Sequence, residues 1–222
     1  MSQLTPSELV YLNGGQFAGA PGASRRARLV HSGQEVHLGE LAKMTLASAL
    51  LANLQAGSLR LTERFHSRWF GLSKKEILAV EVTGTPVEWP AGTLEAGLLA
   101  AAGSGEAVRE SGNLEQVVAS WLGIKYHDPF AEVVGRIPAG LAARGLASVT
   151  EERKLLAVSR SYEVPPETLF MARDIEPVKA MLEQFKTARP HLWPLLLETL
   201  RKGVALRQAP REIDFIDAQN EH

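Results

Sequence analysis

Apolar residues at Leu41, Met44, Ala47, Leu50, Leu51 and Leu54 recur at spacings of three and four, the period that lines one face of an α-helix. Gly57 is placed to stop that helix as a left-handed cap. The segments SLRLT at 58–62 and EILAVEV at 76–82 then have the alternating, β-branched character of strands, joined through FHSRWFGLSKK at 65–75. The same order returns later. Asp128-Pro129 opens a helix carrying Val133, Val134, Ile137 and Leu141, which ends at Gly145; Pro138 is expected to bend or interrupt it. LASV at 146–149 and KLLAVSRSYEV at 154–164 read as a second pair of strands, with Thr150 to Arg153 turning between them.

The remaining pattern adds helices. Thr5-Pro6-Ser7-Glu8 has the residues of a helix start, with Thr5 as N-cap, Pro6 at the first helical position and Glu8 closing a capping box. Asn13-Gly14-Gly15 breaks this short helix, and the small-residue stretch to Ser24 reads as a surface loop ending in Arg25, Arg26 and Arg28. A small hairpin is expected around Ser32-Gly33. Helices are expected from Gly92 to Ala102, and from Asn113 with Leu114, Val117, Val118 and Trp121 inward. After the Pro165-Pro166 break, Asp174 caps a helix holding Ile175, Val178, Met181, Leu182 and Phe185, and a last one begins near Pro190 with Leu192, Trp193, Leu195, Leu196 and Leu200. Three leucines precede a glycine by three or four residues: Leu54 before Gly57, Leu141 before Gly145 and Leu200 before Gly203. The fold class that follows is mainly α, a compact helical core with two β-hairpins. Helix, glycine, hairpin is how a winged helix ends, so two winged-helix-like units sharing one core is one architecture; a plain helical domain with two hairpins is the other. Residues 1–210 are read as one domain and 211–222 as a polar, flexible tail.

Composition narrows the chemistry. With 45% hydrophobic and 22% charged residues the chain is an ordinary globular one, and with no cysteine it has neither disulfides nor thiolate chemistry. No apolar run approaches the roughly 20 residues of a membrane-spanning helix, and no leader pattern opens the chain, so a cytoplasmic protein is expected, with peripheral membrane association. A net charge of −1 leaves no global field, so attraction to an anion must be local. The motifs of nucleophilic, phosphate-binding and zinc-protease chemistry are absent. The histidines are not spaced as helical metal ligands, and Asp128 is accounted for as an N-cap. No catalytic residues, metal or cofactor are therefore expected.

The strongest constellation is the basic hairpin. Arg60, Arg64, Arg68, Lys74 and Lys75 surround Phe65, Trp69 and Phe70 with Glu63 as the one acid between positions 60 and 75, a mixture suited to lipid headgroups or nucleic-acid phosphates. The competing reading has Trp69 and Phe70 in the core and the charges merely solvated.

The phrases LASALLANLQAGSLRL at 46–61, VVASWLG at 117–123 and IPAGLAARGLASV at 137–149 resemble, in order, segments of the Golgi phosphoprotein 3 family, and the likeness spans residues 5–205. The resemblance implies a compact, mainly helical domain with a basic face. Eukaryotic members bind phosphatidylinositol 4-phosphate and act as membrane-associated adaptors for glycosyltransferases. That family's headgroup site draws on a Trp and an Arg leading into the first long helix and on two Arg of the later helix. Here Arg136 matches part of the later pair, while Gly39 to Ala49 holds neither Trp nor Arg. The expectation that emerges is a non-enzymatic binding or adaptor protein, meeting an anionic membrane surface or a protein through Arg60, Arg64, Arg68, Trp69, Lys74, Lys75 and Arg136. The alternative is a winged-helix nucleic-acid regulator with residues 41–56 as recognition helix, although Lys43 is the sole base there.

Overall fold

A computed structural model describes residues 3–21, 25–68, 73–84, 87–104, 112–154 and 157–210. The tail at 211–222, Trp69 and Phe70 lie outside the described residues. The fold is mainly α, with three antiparallel two-stranded sheets among the described residues. In chain order the elements are α1 (Pro6–Leu12), α2 (Gly14–Phe17), β1 (Arg26–Arg28), β2 (Glu35–His37), α3 (Leu38–Gln55), β3 (Leu59–Arg68) and β4 (Ser73–Val82). They continue as α4 (Leu94–Ala102), α5 (Leu114–Leu122), α6 (Pro129–Ala143), β5 (Ser148–Lys154), β6 (Ala157–Glu163), α7 (Pro166–Met171), α8 (Glu176–Ala188) and α9 (Leu192–Ala205).

The centre is α3. Its period-based face was only part of the matter, because Leu38, Ala42, Thr45, Leu46, Ser48, Ala49 and Asn53 are buried as well as the leucines of the stripe. Helices α1, α4, α6, α8 and α9 all pack on it. A helix apolar nearly all round belongs in the middle of a core, where every side has a partner.

Both expected glycine stops are present, and they are the same motif. Gly57 has φ +71° and Gly145 φ +73°, the left-handed conformation that glycine adopts without steric cost. Ser58 N–H donates to Asn53 O and Gly57 N–H to Leu54 O at 3.0 and 3.1 Å; Leu146 N–H donates to Leu141 O and Gly145 N–H to Ala142 O at 2.8 and 3.0 Å. These are two Schellman closures, each followed directly by a hairpin. The third leucine–glycine pair is different. Gly203 lies inside α9, and a Cβ there would come 2.8 Å from both Glu115 O and Val118 Cβ, so this glycine permits the close crossing of α9 over α5.

Four further expectations are corrected. Thr150 to Arg153 do not turn but lie within β5, paired with Val158 to Ser161 of β6. Gly14 and Gly15 do not open a loop; they form α2, a single turn whose first residue is buried against Leu29 and Leu41. Of the two outcomes expected at Pro138, interruption is absent: α6 runs from Pro129 to Ala143, and Pro138, having no N–H, leaves Val134 O without the usual intrahelical bond. Pro165-Pro166 does not merely break the chain but starts α7, with Pro166 at the first helical position.

The N-terminus is fastened by buried carboxylates. Glu8 accepts the Thr5 N–H at 2.9 Å, as the capping box requires, and is paired with Arg144 at the end of α6. Glu95 on α4 is fully buried and accepts both the Ser7 N–H at 2.8 Å and the Ser7 hydroxyl at 2.9 Å, so it closes the start of α1 from outside that helix. Burial raises the pKa of Glu95, with the Ser7 bonds opposing the rise. Below the ordinary carboxylate range both folded and unfolded chains hold this proton. As pH rises from that range through the raised folded value, the unfolded chain releases it first and stability falls; above both values the loss is complete. Glu95→Gln keeps an acceptor for Ser7 N–H and removes the titration. Its urea midpoint is expected to rise relative to wild type as pH goes from mildly acid to neutral, and parallel curves across that range would contradict the assignment.

Candidate functional site

The β3–β4 ribbon pairs Leu59 with Val82 at its base and Arg68 with Ser73 at its far end. At the base Leu59, Leu61, Leu78, Ala79 and Val80 are buried against α3, α4, α5 and α9, and Val80 N–H donates to Gly112 O at 2.8 Å. Leu61 is buried, no residue from Thr62 to Phe65 is, and Phe65 is 67% exposed. The expected hairpin is thus a ribbon anchored at one end, with an aromatic ring presented to solvent.

Register sorts the basic positions. Arg60, Arg64, Arg68 and Lys75 occupy rungs of one parity, opposite Glu81, Ile77, Ser73 and His66, whereas Lys74, opposite Ser67, has the other. Arg64 Nη2 lies 2.7 Å from Glu81 Oε1 in a partly exposed pair, and Glu63 Oε1 lies 3.6 Å from His191 Nε2. Pairs this exposed contribute about 0–1 kcal/mol, so the Arg64 guanidinium stays at the surface at little cost in stability. Arg60 is exposed and forms no ion pair among the described residues.

Arg136 is engaged elsewhere. Its Nε donates to Glu132 Oε1 at 3.0 Å, Nη1 to Trp121 O at 3.0 Å, and Nη2 to Leu122 O and the Tyr126 hydroxyl at 2.9 and 3.1 Å. The guanidinium also stacks 4.7 Å from the Trp121 ring centroid. It therefore caps the C-terminal carbonyls of α5 and ties that helix to α6. The structure brings Arg60, Arg64, Arg68, Lys74 and Lys75 onto one ribbon and places Arg136 in this clamp.

A second basic site has no counterpart in the expected set. A pocket of about 350 Å³ at the start of α3 is lined by Arg25, His37, Lys43, Phe130, Arg201 and Gln208, with Glu40 as the acid among its walls. His37 Nδ1 accepts the Glu40 N–H at 3.2 Å and so caps α3. Arg25 has φ +58°, an uncommon conformation for a non-glycine residue; its carbonyl accepts the Leu38 N–H at 3.0 Å, and its guanidinium lies 5.0 Å from the Phe130 ring centroid. Lys43 bonds Glu40 at 2.7 Å. Arg201 makes two bonds to Glu198, both at 2.7 Å, and this bonding, with Lys202 beside it, lowers the Glu198 carboxyl to about 2. Such a pocket suits a single small anionic group held by Arg25 and Lys43. Residues 25, 43 and 201 come from a loop, the central helix and the last helix, so no local pattern could have announced it; the one sequence signal was the basic run at Arg25, Arg26 and Arg28.

Among the described residues no three His, Asp or Glu side chains are grouped to hold a metal ion, and no helix is long and apolar enough to cross a membrane. The chain matches no family model, no curated protein and no solved structure.

Proposed function

We propose that this chain is a non-enzymatic docking protein that associates peripherally with an anionic membrane surface through the β3–β4 ribbon. The observation that carries the reading is Phe65, an aromatic ring 67% exposed on a ribbon that bears Arg60, Arg64, Arg68, Lys74 and Lys75. An exposed aromatic gains from the headgroup region, and each base held near an anionic bilayer adds about 1 kcal/mol. Trp69 extends the aromatic series in sequence. The likeness of 46–61, 117–123 and 137–149 to the Golgi phosphoprotein 3 family supports the same reading, with an adaptor role as its extension. The helix a nucleic-acid regulator would set in a groove, α3, is buried along its length, which argues against that alternative.

Sedimentation with phosphatidylcholine vesicles, with and without phosphatidylserine, tests the proposal at low salt. Binding is expected with phosphatidylserine alone. A variant with Arg64, Arg68, Lys74 and Lys75 all changed to Ser is expected to lose affinity on the order of a thousandfold, with its melting temperature nearly unchanged. Equal sedimentation with the two lipid mixtures, or wild-type binding by the variant, would overturn it and leave a protein as the ribbon's partner.

A further inference from the structure

Two cavities along α8, the smaller bordered by the base of the β3–β4 ribbon, meet end to end. One of about 780 Å³ and one of about 350 Å³ share Gln55 and Met181 as lining residues, and together they follow α8 from Asp174 before its start to Arg189 after its end. At the usual rise of 1.5 Å per residue this groove is roughly 22 Å long. Its floor is apolar: Val178 and Met181 are buried, and Phe185 is packed against the core. Its ends are charged with opposite sign. Glu88 and Asp174 border the larger cavity, Arg60 and Arg189 the smaller, and none of the four makes an ion pair among the described residues.

We propose that this groove receives a short extended peptide segment of a partner protein, basic at one end, apolar in the middle and acidic at the other. Charge complementarity selects that occupant. Two acids without an ion-pair partner beside the larger cavity, of which Asp174 accepts the Glu176 N–H at 3.4 Å, and two such bases beside the smaller reject a uniformly basic or uniformly acidic segment, and the apolar floor rejects a polar one. A length of roughly 22 Å accepts about seven extended residues. Extended main chain places alternate side chains on the floor, so about three apolar residues seat between the charged ends. Arg60 also belongs to the lipid-contacting ribbon, so the test leaves it unchanged and the inference stands apart from membrane association.

The probes are synthetic peptides with a common Leu-Pro-Leu-Val centre. One has Arg-Lys before it and Glu-Glu after it; two controls have basic or acidic pairs at both ends. Fluorescence anisotropy with the full chain is expected to rank the mixed peptide about tenfold above either control. The double variant Glu88→Lys and Asp174→Lys, both at exposed positions, is expected to shift the preference to the doubly acidic peptide. Gln55→Trp, which fills the junction of the two cavities, is expected to abolish binding of all three. Vesicle binding of the charge-neutral Gln55→Trp variant should equal wild type, which separates failure here from failure of the membrane proposal. No binding of the mixed peptide, equal binding of the three, or an unchanged preference in a double variant whose melting curve shows it folded would overturn the inference.

Discussion

Arg144→Ala is expected to destabilise the fold by about 3–5 kcal/mol, the cost of leaving a buried carboxylate without its counter-charge. Glu8 is 2% exposed and Arg144 11%, and the Arg144 guanidinium also reaches Gln3 O and Gly140 O at 3.4 Å each. The Glu8 carboxylate holds the Thr5 N–H as well, so without Arg144 it would be left inside the protein with no counter-charge. The urea midpoint at neutral pH reads the loss. Adding Glu8→Gln to Arg144→Ala removes the stranded charge and is expected to recover more than half of it. If the single and double variants unfold together, the pair is not what holds α1 to α6.

Asn53→Ala ranks next, at about 3 kcal/mol, because one buried amide serves several neighbours and an unmade bond costs about 1–3 kcal/mol. Its Nδ2 donates to Ala49 O at 3.0 Å and Glu95 O at 3.1 Å, while Oδ1 accepts from the Ser58 hydroxyl at 2.9 Å and Trp89 Nε1 at 2.8 Å. Alanine strands the Trp89 N–H and takes one acceptor from Ser58, which retains Asn53 O at 3.0 Å. Thermal unfolding by near-ultraviolet dichroism checks it, and the Trp89 environment is expected to change as well. A loss below about 1 kcal/mol would show that water replaces the amide.

What could be read from residues alone was whatever the chain settles over a few positions. Asp128 caps α6 by accepting from Phe130 and Ala131 N–H at 3.1 and 3.2 Å; Asn113 caps α5; Gly57 and Gly145 end their helices. Each uses groups no more than six residues apart. Gly203 carried the same local signature as the other two glycines, yet its reason lies in Val118, on another helix. The single turn of α2 and the short α7 escaped because a stretch that short has hardly any period to detect and is stabilised by what it packs on. The ribbon was legible from alternation and its basic content from composition, whereas the clamping of Arg136 and the pairing of Arg64 with Glu81 required the register and the crossing of α5 with α6. The basic pocket and the groove along α8 are further removed still, each assembled from elements distant in the chain.

The central position of α3 bears on how the chain assembles during synthesis. Its walls come from both directions, α1 from earlier in the chain and α9 from near the far end of the described residues. When Gln55 has emerged from a ribosome, most of this helix's apolar circumference is still bare, and it stays partly bare until Leu196 and Leu200 arrive. At roughly 5–20 residues per second that interval is on the order of ten seconds. Nascent chains halted before α9 are thus expected to expose the stripe of α3 that α9 covers, so the step that completes this core waits for α9.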